Sequence, residues 1–120
     1  MWLWDQSRGA LSHNGRFISN GYSGKGRGKN NPALQAAIGI GPIPQGLWTM
    51  TGVYDSKSVG PYAIILVPKP GTDTKGRSAF RIHGDSIKAP GTASRGCIVL
   101  PRALRVKIWQ SGDRDLKVIE

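Results

Sequence analysis

The sequence predicts a mainly β fold: one compact domain over residues 1–120, with one or two short helices. Three observations predict it. Glycine occurs 17 times and proline 8 times in 120 residues, which implies many turns. Windows rich in Ala, Glu and Leu, which helices favour, are scarce. The apolar runs are strand-sized, and the longest, Ala63 to Val67, is too short for a membrane span or the core of a signal peptide. The length suits one hydrophobic core and not two. Without a leader-like run, the chain is expected to be made in the cytoplasm without a signal peptide.

The elements follow in order. Trp2-Leu3-Trp4, a turn at Ser7-Arg8-Gly9, the apolar pair Ala10-Leu11 and then Asn14-Gly15 read as a small β-meander over residues 1–20. Asn-Gly between extended segments is a strong hairpin signal. Gly21 to Asn31 reads as a glycine-rich, basic loop. It lacks both the P-loop spacing and the G-x-G-x-x-G order of dinucleotide sites. Asn31 to Ala37 reads as one short helix, with Asn31 as cap, Pro32 in the first position and Gly39 as terminator. Gly41-Pro42-Ile43-Pro44-Gln45-Gly46 is a rigid turn. Leu47–Tyr54, Tyr62–Val67 and Ala79–His83 are strand candidates, and Thr72 to Arg77 is a polar connection. Pro101 to Gln110 starts a second helix candidate, and Leu116 to Ile119 is the last strand.

Charge and cysteine content narrow the function classes. The formal net charge is +10, which draws anionic partners to the surface. Nucleic acid and anionic cell-wall polymers both fit that charge, as does a merely soluble basic surface. No zinc spacing, aromatic ribonucleoprotein motif or long basic helix supports nucleic acid, so none is expected as a partner. The single cysteine excludes an intramolecular disulfide and any multi-cysteine metal site.

The chemistry concentrates in residues 80–101. His83 ends an apolar strand and precedes Gly84-Asp85, and Ser94-Arg95-Gly96-Cys97 follows with the apolar run Ile98-Val99-Leu100. A thiol becomes a strong nucleophile when a neighbouring imidazole takes its proton and later returns it to the leaving amine. Pro90, Gly91 and Gly96 let the intervening chain fold back and bring the two groups together. A basic neighbour such as Arg95 favours the thiolate. Gly96 permits close backbone approach, so that an N–H of Cys97 or a neighbour faces a developing oxyanion. On chemistry alone a buried structural cysteine and a hydrogen-bonded strand-end histidine remain open.

His83-Gly84 followed by Ser94-Arg95-Gly96-Cys97-Ile98 resembles the L,D-transpeptidase (YkuD-like) signature, a histidine and then Ser/Thr-His-Gly-Cys. The resemblance is nearest to the small branch used as type VI secretion effectors. There it extends to Trp2-x-x-Asp5-Gln6-Ser7, Gly21-Tyr22-Ser23-Gly24, Asn30-Asn31-Pro32, Gly41-Pro42-Ile43-Pro44, Gly60-Pro61 and Phe80-x-Ile82-His83-Gly84-Asp85. One departure matters: Arg95 stands where the family has histidine. Arginine keeps its proton, so the base falls to His83. His13, in the first hairpin, reads as a surface residue.

The resemblance implies an L,D-transpeptidase-like β fold with Cys97 as nucleophile in a cleft and His83 as base. It implies attack on peptidoglycan stem tetrapeptides, with cross-linking, D-amino-acid exchange or L,D-carboxypeptidase activity as outcomes, and needs neither metal nor organic cofactor. Supporting or substrate-binding candidates are Tyr22, Ser23, Gly84, Asp85, Ser94, Arg95, Gly96 and Arg102. Asp85 orients the imidazole, binds substrate or is simply a solvated loop carboxylate. A leaderless enzyme with a substrate outside the membrane implies delivery by a secretion apparatus to the periplasm of a target Gram-negative cell. A cognate periplasmic immunity protein is then the implied partner. Two other classes stay open: a papain-like or NlpC/P60-type cysteine peptidase, in which cysteine precedes histidine along the chain whereas His83 comes first here, and a non-enzymatic basic wall- or nucleic-acid-binding module.

Overall fold

A computed structural model describes residues 1–120. It is mainly β, as the glycine and proline content predicts. Nine strands form one sheet: β1 (Trp2–Asp5), β2 (Ala10–His13), β3 (Arg16–Asn20), β4 (Tyr22–Ser23), β5 (Gly46–Ser56), β6 (Gly60–Pro68), β7 (Arg81–His83), β8 (Ile98–Val99) and β9 (Asp115–Ile119). One α-helix, α1 (Arg102–Gln110), packs on β6 and β7. The sheet order is β3-β2-β1-β9-β5-β6-β7-β8-β4.

That order requires curvature. Strands β3 and β4 occupy opposite ends of the sheet, yet Gly21 alone separates them along the chain. The sheet therefore curls until its two end strands come together at Gly21, although no ladder pairs them. Gly21 sits at the seam. Its N–H donates to the Gly9 carbonyl at 2.8 Å, and a Cβ there would lie 2.4 Å from the Val99 carbonyl oxygen. No larger residue fits.

The first three strands form the expected meander, with Asn14 (φ 49°) and Gly15 (φ 82°) making the tight turn. Alternation then separates core from site. Ile64, Ile82 and Ile98 stand side by side on β6, β7 and β8, all fully buried among Trp2, Trp4, Trp48, Met50, Leu116 and Val118. Successive strand residues point to opposite faces, so Arg81 and His83 share the other face, as do Cys97 and Val99. A bulge at Thr51 matters here. Met50 pairs with Leu66 but Gly52 pairs with Ile65, so β5 carries one extra residue. Val53 then faces the core, and Tyr54 turns to the face of Arg81.

Three local expectations change. Asn31 does cap, accepting from the Ala33 N–H at 3.1 Å, but only a 3-10 turn forms over Pro32–Leu34. So short a segment cannot repay helix nucleation, and the chain instead folds back to lay Gly41 against the Leu34 carbonyl. The 21–31 stretch is not all loop. It contains β4 and a 3-10 turn at Gly26–Gly28, and Ser23, Gly24 and Gly28 are buried. The 79–83 strand begins only at Arg81, because Ala79 adopts φ 64°.

Candidate active site

The geometry of His83 follows from its place at the end of β7. It is 2% exposed. Its Nδ1 lies 2.8 Å from the Gly84 carbonyl oxygen, an acceptor only, so Nδ1 carries the proton and Nε2 is left as the basic nitrogen. Burial pushes the imidazole below the ordinary histidine value, the Gly84 bond opposes that, and the nearby Arg81 and Arg105 guanidinium groups lower it further. His83 is therefore neutral at pH 7, the state a general base needs.

Cys97 immediately precedes β8, which runs parallel to β7 with Ile98 beside Ile82 and Val99 beside His83. One step back, Cys97 falls beside Arg81, two positions from the histidine on the same face. Cys97 is 8% exposed. Its Sγ donates to the Ala79 carbonyl at 3.6 Å, and the positive φ of Ala79 is the local feature that accompanies this contact. Burial pushes the thiol up. The Arg81 backbone N–H and guanidinium pull it down, followed by Arg77. The resting pair is thus a neutral thiol and a neutral imidazole.

Both side chains open onto one cleft of about 670 Å³, walled by Ile38, Arg77, Ala79, Phe80, Arg81, Arg95 and Gly96. A second cleft of about 580 Å³, lined by Asp85, Ile87, Lys88 and Arg105, shares His83, Ser58, Val59 and Ala93 with the first. The imidazole stands at their junction.

The turn that carries the thiol is held from inside. Ser94 is fully buried. Its Oγ donates to the Cys97 carbonyl and accepts from the N–H groups of Gly24 (2.9 Å) and Gly96 (3.0 Å). The Gly96 N–H is thereby committed to Ser94, which leaves it out of any oxyanion site. Gly96 has φ 144°, and a Cβ on it would meet Arg77 Nη2 at 2.3 Å. Ser23 is also fully buried. It donates to the Gly96 carbonyl and accepts from the Ile43 N–H, both at 2.9 Å. Ser23 is therefore internal scaffolding and not a substrate contact, because on β4 it pairs with Ile98 and shares the core face.

Its neighbour Tyr22 faces the other way. The phenol donates to Asp85 Oδ1 at 2.6 Å and accepts from the Ala93 N–H at 2.9 Å. Burial and the Asp85 bond raise its pKa to about 12. Asp85 also accepts from the N–H groups of Ser86 and Gly91. It organises the 85–93 loop and does not orient His83, whose only ring partner is the Gly84 carbonyl. Gly84 leaves room for Arg105, since a Cβ there would sit 3.0 Å from its Nη1. Arg95 is exposed on the cleft wall. Arg102 is not brought to the cleft; at the start of α1 it lies over the Tyr62 ring, 5.7 Å from its centroid. His13 is remote from both clefts and half-buried, stacked on Trp2 at 3.8 Å and 2.9 Å from Asp113 Oδ2.

Three residues escaped the sequence reading. Arg77 was part of a polar connection, yet it is 8% exposed. Its guanidinium donates to the carbonyls of Gln35, Gly41, Pro42 and Arg95 at 2.6–3.0 Å. It ties the segment before β5 to the turn that carries Cys97. Arg81 and Tyr54 are the others, joined by a 2.6 Å bond from Nη1 to the phenol oxygen. The period-2 rule could have placed Arg81 on the face of His83. Nothing local announces the Thr51 bulge or the carbonyl partners of Arg77.

The family model described as the Tlde1 domain matches residues 18–118. No curated protein and no solved structure matches.

Proposed function

The chain belongs to the Tlde1 domain family, and from that premise we propose that it is a type VI secretion effector that modifies peptidoglycan stem peptides by cysteine chemistry of the L,D-transpeptidase kind. The observation that carries the reading is the shared cleft: Cys97 and His83 open into it from neighbouring parallel strands, with Nε2 of His83 free to accept a proton.

The thiol first leaves the Ala79 carbonyl and turns to the imidazole. His83 Nε2 takes the Sγ proton as Sγ attacks the carbonyl between the third stem residue, an L-centred diamino acid, and the terminal D-alanine. The tetrahedral intermediate collapses to a thioester. The D-alanine amine departs with the proton from His83. Water or an incoming amine then attacks the thioester, gives its proton to His83 and releases Cys97. Water yields a shortened stem, a free D-amino acid gives exchange, and an amine of a second stem gives a cross-link.

The address follows from the substrate. No helix is long and apolar enough to cross a membrane, and effector delivery would place the enzyme in the periplasm of a target cell. The partners of that reading are a component of the secretion apparatus and a periplasmic immunity protein in the producer.

The test is direct. Purified protein is incubated with disaccharide tetrapeptide and the products are read by mass. Loss or replacement of the terminal D-alanine by wild type, and none by a folded Cys97→Ser protein, is the expected result. An unchanged tetrapeptide with wild type, or turnover by Cys97→Ser, overturns the reading.

A further inference from the structure

We propose that Arg81 is the cation that balances the Cys97 thiolate, with Tyr54 as the positioning residue that holds it there. The proposal rests on Cys97 being the nucleophile, and it assigns to Arg81 the electrostatic role that the sequence suggested for Arg95.

Three independent placements lead to it. The parallel register of β7 and β8 sets Arg81 beside Cys97, and both side chains line the same cleft. The Thr51 bulge turns Tyr54 onto that face, where its hydroxyl accepts from Arg81 Nη1 at 2.6 Å. A plain β5 strand would aim Tyr54 the opposite way. Lastly, the Nε–H of Arg81 is buried and has no hydrogen-bond partner. An orphaned buried donor is costly unless a charge appears beside it.

The local charges support the same role. No carboxylate lies within ion-pair distance of Arg81, so its charge is not neutralised at rest. Burial opposes ionisation of the thiol, and Arg81 is the first of the groups that favour it, ahead of Arg77. Arg77 already spends its donors on four carbonyls. Arg95 lies exposed to solvent, where screening weakens its reach.

In the reaction, His83 Nε2 removes the thiol proton and the electron pair stays on Sγ. That negative charge forms in a half-closed cleft facing Arg81. It passes to the substrate carbonyl oxygen as the S–C bond forms, and the proton on His83 goes to the departing amine. No oxidant or further reactant is needed.

Iodoacetamide labelling of Cys97, followed by intact mass across a pH series, tests the proposal. The groups that shape the profile are Arg77, Arg81, His83, Arg95 and Tyr54. Arg81→Met keeps the bulk and removes the charge. Its labelling midpoint is expected to move to higher pH by about one unit, which is about a tenfold lower rate at neutral pH. Wild-type and variant rates should converge above both midpoints, and Arg81→Lys should restore part of the loss. Tyr54→Phe removes one hydroxyl from an exposed side chain, and a shift of the same sign, on the order of threefold at neutral pH, is expected. If Arg81→Met does not fold, Tyr54→Phe decides. An unmoved profile in the folded variants overturns the proposal and leaves Cys97-dependent tetrapeptide turnover standing. Absence of turnover in wild type overturns the proposed function, while the labelling profile still decides the role of Arg81.

Discussion

The Ser94 hydroxyl donates to the backbone carbonyl of Cys97 at 2.5 Å, closing the turn that presents the thiol. The same oxygen collects the N–H groups of Gly24 and Gly96. One buried side chain thus joins the Cys97 turn to the strand-loop segment at residue 24.

Ser94→Ala should therefore damage fold and site together. It strands two N–H groups and a carbonyl, at about 1–3 kcal/mol for each buried group left unpaired. A loss of about 3 kcal/mol in urea unfolding is expected, with slower Cys97 labelling in whatever remains folded. Wild-type stability would show that water replaces the hydroxyl without cost.

On the proposed mechanism, removal of the His83 imidazole gives a kinetic signature. His83→Gln should slow thioester formation by on the order of 10²-fold or more. His13→Ala should leave the rate unchanged, since His13 lies away from both clefts. The profile of kcat/KM in wild type should lose activity only below the ordinary histidine pKa, because burial depresses His83. The stability sign is the same. The unfolded chain takes up the proton at higher pH than the native one, so protonation opposes folding. Stability from neutral His83 is intact above the unfolded value and declines as pH falls through it. His83→Gln should flatten that part of the curve of melting temperature against pH.

Arg77 predicts a stability defect without a substrate contact. Arg77→Met leaves four carbonyls without their donor, and a loss on the order of 3–5 kcal/mol follows. Arg77→Lys should rescue little, because one ammonium cannot span partners arranged for a planar fork. Full rescue by lysine in denaturant unfolding would refute the clamp.

The exposed cations Lys25, Arg27 and Lys29 separate wall capture from chemistry. Changed together to alanine, they should weaken binding to purified sacculi in a salt-dependent way. The labelling rate of Cys97 should stay the same, because exposed charges are screened over ~8 Å at physiological ionic strength. Normal sacculus binding with slowed labelling would mean that the loop supports the thiolate instead.

Sequence alone determined the β class, the first meander, the cap at Asn31 and the helix after Pro101. Each of these rests on a local rule: a turn residue, a period or a capping side chain. Tertiary structure decided the rest. Tyr22 and Ser23 are adjacent in sequence, but their register on β8 sends one to the Asp85 loop and the other into the core. Arg77 and Arg95 are both arginines in polar stretches, yet one is sealed by four carbonyls and the other meets solvent. Asp85 lies two residues from His83 and bonds instead to Tyr22. Tyr54 reaches Arg81 only because Thr51 bulges. The physical reason is common to all four. Strand register and the direction of a buried donor are set by partners distant in the chain, whose positions exist only once the strands have paired and the sheet has curled.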